Sequence, residues 1–250
     1  MRRARTPVAE RAVVRSDAPG LLETIRCVAR AAPLLARHQE RLVASWSAWF
    51  RGTPPDLAEV TGAAIAAAAP SSLVRVAFLH RASGGAPRVE VSSRPLPPAP
   101  ARWRVALAAS PRVEPAEVRR HKQLDRGWVA ALTVPGVEET LVWDDEQGLL
   151  EGTRSNLFVW RGDELSTPPL RAGLVPGVVR AELMGCAPDL QLLVVERLLT
   201  PADLLSCDAL VLTGSGVGVV VVDECDGRPI GSAAGRAAAA RLHSVLFPGG

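Results

Sequence analysis

Tyrosine is absent from the 250-residue sequence, and the other aromatics are few: six tryptophans and four phenylalanines. Nucleic-acid binders present basic runs interleaved with stacking rings. Here the arginines are scattered, and a formal charge of +3 from 29 basic and 26 acidic residues suits solubility and small anionic ligands. No nucleic-acid partner is expected. Cysteine is also sparse. Cys27, Cys186, Cys207 and Cys225 form no CxxC pair, and no His/Cys cluster has zinc spacing. Reduced, partly buried thiols and no metal site are expected. No apolar run is long enough to cross a bilayer, and 217–222 reads as a buried strand. The basic start, MRRARTPVAERAVVR, lacks the apolar core of a secretory signal, so the cytoplasm is the expected location, with no membrane partner.

What is present is a large apolar fraction, 48% of residues, enough for one large domain or two smaller ones. The break in composition is RPLPPAPA at 94–101. Proline fixes φ and removes a donor, so this stretch reads as a linker. The expected division is a smaller N-terminal α/β domain over 1–95, a linker over 96–101 and a larger C-terminal domain over 102–250. Before the linker, three- and four-residue spacing predicts a helix over 34–50, and Pro55-Asp56 starts a second over 57–69. Strands follow at 73–79 and 89–91. After it come strands at 103–109, 141–143 and 157–160, with turns at 144–148 and 161–163 closing them into a meander. A helix is expected over 178–184, another capped by Thr200, a strand over 209–213 and a terminal helix over 232–246. The fold class is α/β (α+β).

Four segments carry candidate chemistry. Lys122 stands in RRHKQLDR, and lysines are scarce here against arginines. Neighbouring cations lower an amine's pKa and favour the neutral form that a Schiff-base lysine needs. The plain alternative is a surface lysine at a helix start. Glu151, in LLEGTRSNLF, ends an apolar strand, where a carboxylate needs a partner. A pyridinium nitrogen is one such partner and an arginine is another. GLVPGVVR, 173–180, places Gly177 before a helix whose first backbone N–H groups, at Val178 and Val179, face an anion or merely water. TGSGVG, 213–218, puts Thr213 and Ser215 on a glycine turn that admits a phosphate, or is a tight turn and nothing more. It lacks dinucleotide spacing, and no βαβ unit follows.

Together, and in this order, HKQLDR, EGTRSNLF, TPPLRAGLVPGVVR and TGSGVG resemble the pyridoxal 5′-phosphate enzymes of fold type IV, aminotransferase class IV. LLETIR at 21–26 and ARHQERL at 36–42 resemble that family's entry strand and first helix. The resemblance covers nearly the whole chain. It implies a two-domain, D-amino-acid-aminotransferase-like fold, a homodimer and a small amine substrate. It implies that Lys122 forms the Schiff base and moves the proton, and that Glu151 pairs with the pyridine nitrogen. Arg41, the amides of Val178 and Val179 after Gly177, Ser215 and Thr213 would hold the phosphate. Arg26 and Arg75 would lie toward the substrate carboxylate. The sequence departs from the pattern in three places: Val179 replaces a hydroxyl, every phenol is missing, and RSDAPGLLETIR lacks the usual aromatic-glycine spelling.

KQLDR, with Arg126 four after the lysine, and the EGTRSNL and TPPL segments are most similar to 4-amino-4-deoxychorismate lyases of folate biosynthesis, which release pyruvate and 4-aminobenzoate. The alternatives are a class IV aminotransferase acting on branched-chain or D-amino acids, and a member that has lost catalysis.

Overall fold

The computed structural model describes residues 13–15, 20–81, 85–110, 112–114, 119–124 and 127–248. Arg126 and the segment before Gly20, apart from 13–15, lie outside these.

The chain opens with β1 (Val13–Arg15) and β2 (Gly20–Val28), then α1 (Leu35–Trp49), α2 (Leu57–Ala67), β3 (Ser71–Leu79) and β4 (Arg88–Pro95). β2, β3 and β4 form an antiparallel three-stranded sheet. Strand geometry sends alternate residues to opposite faces. Leu21, Ile25 and Cys27 therefore share a face and pack with Leu42 and Trp46 of α1 and Leu57 of α2. Asp56 caps α2 by accepting from the Ala58 N–H at 2.7 Å. β4 runs on to Pro95, two residues into the proline-rich stretch. It is an edge strand, where a missing N–H costs no ladder bond.

Beyond 95 the elements are β5 (Arg104–Ala109), β6 (Arg112–Glu114), α3 (Gly127–Leu132), β7 (Glu139–Asp144), β8 (Gly148–Gly152), β9 (Asn156–Arg161), β10 (Glu164–Thr167), α4 (Val178–Cys186), β11 (Leu193–Glu196), α5 (Pro201–Leu205), β12 (Ala209–Gly214), β13 (Gly218–Val222), β14 (Glu224–Cys225), β15 (Arg228–Pro229) and α6 (Ala233–Leu246). Two five-stranded sheets result, ordered β15-β14-β5-β7-β8 and β11-β10-β9-β12-β13. The expected single meander is therefore corrected. β7 and β8 form a hairpin in one sheet, β9 and β10 a hairpin in the other, and the chain crosses between them at 153–155.

Period-two burial explains the layering. Leu141 and Leu149 of the first sheet pack with Leu157, Val159, Leu210 and Leu212 of the second. The intervening Phe158 and Val211 face the other way, onto Val179 and Leu183 of α4 and Leu242 and Leu246 of α6. Burying a side chain of this size stabilises by roughly 1.5–3 kcal/mol. Thr200 and Asp203 form a reciprocal capping box at α5, and Ser232 caps α6.

Candidate active site

The sheet crossover makes one wall of a cleft. Glu139, buried on β7, accepts from the backbone N–H of Thr153 at 3.1 Å, the Arg154 N–H at 3.2 Å, Ser155 Oγ at 3.1 Å and the Thr153 hydroxyl. One carboxylate thus fixes the whole link between the sheets. Glu151, just before it, is buried and its Oε2 accepts from the Val175 N–H at 3.2 Å and from Asn156 Nδ2 at 3.4 Å. Asn156 Nδ2 also donates to the Val175 carbonyl at 3.0 Å, tying this wall to the loop before α4.

That loop ends at Gly177, the N-cap of α4, which makes no side-chain capping bond. The first N–H groups of a helix have no intrahelical acceptor, so those of Val178 and Val179 remain to bind an anion at the positive end of the helix. A Cβ at Gly177 would lie 1.8 Å from Asn156 Oδ1, so glycine is the residue that fits. The Val179 side chain is buried in the core and leaves only its backbone for this task.

The opposite wall comes from the Lys122 segment beside β2, from α1 and from the end of β12 with its turn. Lys122 is the one lysine of the chain. Its backbone is fixed against β2, where its carbonyl accepts from the Leu22 N–H at 2.9 Å and Leu21 bridges Gln123. On α1, His38 and Arg41 lie one turn apart and both are buried. Both reach Glu23 on β2: Arg41 donates from Nε at 2.9 Å and Nη2 at 2.5 Å, and His38 Nδ1 lies 2.6 Å away. Burial opposes ionisation of Glu23, but Arg41 and the His38 hydrogen bond outweigh it and hold the carboxyl well below the usual range. The third Arg41 nitrogen, Nη1, donates to the Pro176 carbonyl at 3.2 Å. The Thr213 hydroxyl is buried with no hydrogen-bond partner among the described residues.

Arg41, Lys122, Glu151, Val178, Thr213 and Ser215 all line this cleft, whose free space, open mouth included, is about 390 Å³. Gly177 lines it too. Three of the expected residues fall outside the lining: Val179, whose side chain is in the core, Arg75 and Arg26. Arg75 is exposed on β3, outside the lining. Arg26 is buried behind the β12–β13 turn, its guanidinium 5.0 Å from the Phe247 ring centre and its Nη1 3.4 Å from the Ser215 carbonyl. Sequence reading missed Arg154, which lines the cleft with its side chain 63% exposed. It also missed Glu23 and Glu139 as organising carboxylates. The available signal for Glu23 was an acid on the inward face of an apolar strand.

No metal-binding group of three or more His, Cys, Asp or Glu residues occurs among the described residues, and no helix among them is long and apolar enough to cross a membrane.

Fold and cleft together define a fold type IV enzyme. The amino-transferase class IV family model matches residues 20–225, and the chain belongs to that family, whose members use pyridoxal 5′-phosphate. A Methanocaldococcus jannaschii protein named as a branched-chain-amino-acid aminotransferase is 37% identical over 95 residues, 38% of this chain and 33% of that protein. The matched stretch thus spans about a third of that relative's length. Among solved structures, a hypothetical aminotransferase from Mycobacterium tuberculosis in its PLP-bound form superposes with a TM-score of 0.80 at 21% identity, over 92% of this chain and 89% of that one. The 4-amino-4-deoxychorismate lyase from Pseudomonas aeruginosa superposes with a TM-score of 0.71 at 25% identity, over 91% of this chain and 89% of the lyase.

Proposed function

We propose that the chain is a pyridoxal phosphate-dependent lyase that takes 4-amino-4-deoxychorismate to pyruvate and 4-aminobenzoate. The observation that carries the cofactor site is the sole lysine, Lys122, lining the same cleft as the buried Glu151. The bound cofactor supplies an electron sink for negative charge beside the substrate nitrogen. Lys122 Nζ would anchor it and would serve as the base for the proton on the substrate ring. Glu151 would pair with the pyridine nitrogen. The phosphate is held by Arg41, Ser215, Thr213 and the N–H groups of Val178 and Val179. The residues fit the group: a buried Thr213 hydroxyl without a partner among the described residues and an uncapped helix start are the donors a phosphate satisfies.

The lyase substrate bears two carboxylates. Arg154 gives the cleft an exposed cation beyond Lys122 and Arg41, and we assign it to one of them, in place of Arg26 and Arg75. The 25% identity with the P. aeruginosa lyase over 91% of the chain supports the same reading. The second reading, an aminotransferase acting on branched-chain or D-amino acids, is favoured by the M. jannaschii match. We further propose that the chain is divided near 96–101, acts as a homodimer and works in the cytoplasm.

A paired assay tests the reaction. One arm follows pyruvate and 4-aminobenzoate from enzymatically generated aminodeoxychorismate. The other follows amino transfer from L- and D-amino acids to 2-oxoglutarate or pyruvate. Aromatic amine without transamination, lost in Lys122→Ala, is expected. Amino transfer without pyruvate release would move the protein to the aminotransferases.

A further inference from the structure

His38 is buried between two groups of different kinds. Its Nδ1 lies 2.6 Å from Glu23 Oε2, and its Nε2 lies 3.4 Å from Ser215 Oγ. Glu23 is held ionised by the Arg41 fork, and an ionised carboxylate only accepts. Nδ1 must therefore carry a proton. In the neutral ring Nε2 is then bare, and the Ser215 hydroxyl donates its one hydrogen to it.

A phosphate dianion also only accepts. When it sits against Ser215 Oγ, the single hydroxyl hydrogen has two claimants. Protonating Nε2 resolves the conflict. His38 then donates to a lone pair of Oγ, the hydroxyl hydrogen turns to the phosphate, and a continuous relay runs from Glu23 through His38 and Ser215 to the anion. We propose that binding of the cofactor phosphate is coupled to uptake of a proton from solvent at His38 Nε2, which makes His38 the positioning residue for the phosphate-binding hydroxyl. This rests on the assignment of Ser215 to the phosphate.

The surroundings supply the conditions for such coupling. The charged groups facing His38 are Glu23 from β2, Arg41 from α1, with Nη2 3.5 Å from Nδ1, and Lys122 from the segment beside β2. Burial lowers the affinity of the ring for a proton; Glu23 opposes this, while Arg41 and Lys122 add to it. These surroundings favour the neutral ring in the free protein, and an added dianion shifts the balance toward the protonated one. By linkage, whatever favours the protonated ring on binding makes binding favour low pH.

The test uses the full chain freed of cofactor and pyridoxamine 5′-phosphate, which carries the phosphate and no aldehyde. Calorimetric titrations are run in two buffers of different ionisation enthalpy, at a pH about two units above the second phosphate pKa of about 6. The comparison is with His38→Asn, whose amide keeps a donor to Glu23 but takes no proton. Wild type is expected to take up more protons than the variant, by a difference approaching one per site. Its affinity is expected to fall as pH rises, more steeply than the variant's by up to about tenfold per pH unit. Equal proton uptake would overturn the coupling while leaving the phosphate site intact. No binding to wild type would overturn the cofactor reading with it. If His38→Asn does not fold, Ser215→Ala cuts the same relay beyond the histidine, and the same comparison decides.

Discussion

The Glu23 carboxylate takes both ends of the Arg41 fork, Nε at 2.9 Å and Nη2 at 2.5 Å, in the buried contact between β2 and α1. Two consecutive elements, β2 and α1, are thereby locked together, and the remaining Nη1 of Arg41 is aimed at the loop before α4. Removing one member of a buried pair leaves the other charge uncompensated, which costs about 3–5 kcal/mol. Glu23→Gln should lose stability of that order in urea unfolding, and should also weaken cofactor affinity.

The same pair sets an acid limb. The folded-state pKa of Glu23 is depressed, so its contribution is present above the unfolded carboxylate pKa of about 4.3 and is lost as pH falls through the folded value. Unfolding free energy of wild type should decline below about pH 5, and Glu23→Gln should flatten part of that decline. Denaturation midpoints at stepped pH read the effect. Parallel profiles for the two proteins would contradict it.

Thr213→Val removes a buried hydroxyl that has no partner among the described residues. Burying an unsatisfied polar group costs about 1–3 kcal/mol, so the cofactor-free variant should be at least as stable as wild type. Its cofactor affinity should fall by roughly tenfold, the worth of about one hydrogen bond to a charged acceptor. Thermal melts with and without pyridoxal phosphate separate the two effects.

Gly177→Ala places a methyl 1.8 Å from Asn156 Oδ1. Asn156 must move, and its bonds to Glu151 and the Val175 carbonyl go with it. Both melting temperature and cofactor retention should drop, whereas Gly62→Ala, which meets nothing within 4 Å, should leave cofactor retention unchanged.

Arg154→Ala tests the substrate assignment. The side chain is 63% exposed in the cleft lining, but its Nε lies 3.8 Å from the buried Glu139 carboxylate and its Nη2 donates to the Glu138 carbonyl, so some stability is lost as well, and thermal melts read that loss separately. A charge-assisted contact to a substrate carboxylate is worth about 1.5–3 kcal/mol, which predicts a fall in kcat/KM of about 10- to 150-fold carried mainly by KM. An unchanged KM for the dicarboxylate substrate would remove Arg154 from that role.

Local elements and the order of the motifs are legible in the amino-acid sequence alone. Helical spacing in 34–50 and the caps at Asp56 and Thr200 are written within a few residues of each other, and the structure carries them at α1, α2 and α5. The glycine before α4 and the turn after β12 are legible for the same reason: backbone freedom and unpaired N–H groups are properties of short segments. Tertiary structure alone decided what meets in the cleft. The hairpins β7–β8 and β9–β10 fall in different sheets because Leu157 and Leu141 bury on facing sides of one core, and no local pattern reports which sheet a strand joins. Arg26 and Arg154 are both arginines in motif segments, yet one is buried behind the β12–β13 turn and the other opens onto the cleft. Glu23, 15 residues from His38 and 18 from Arg41, meets both because strand alternation and helix pitch coincide at that contact. Such coincidences depend on the packing distance and angle between elements, which only the folded chain sets.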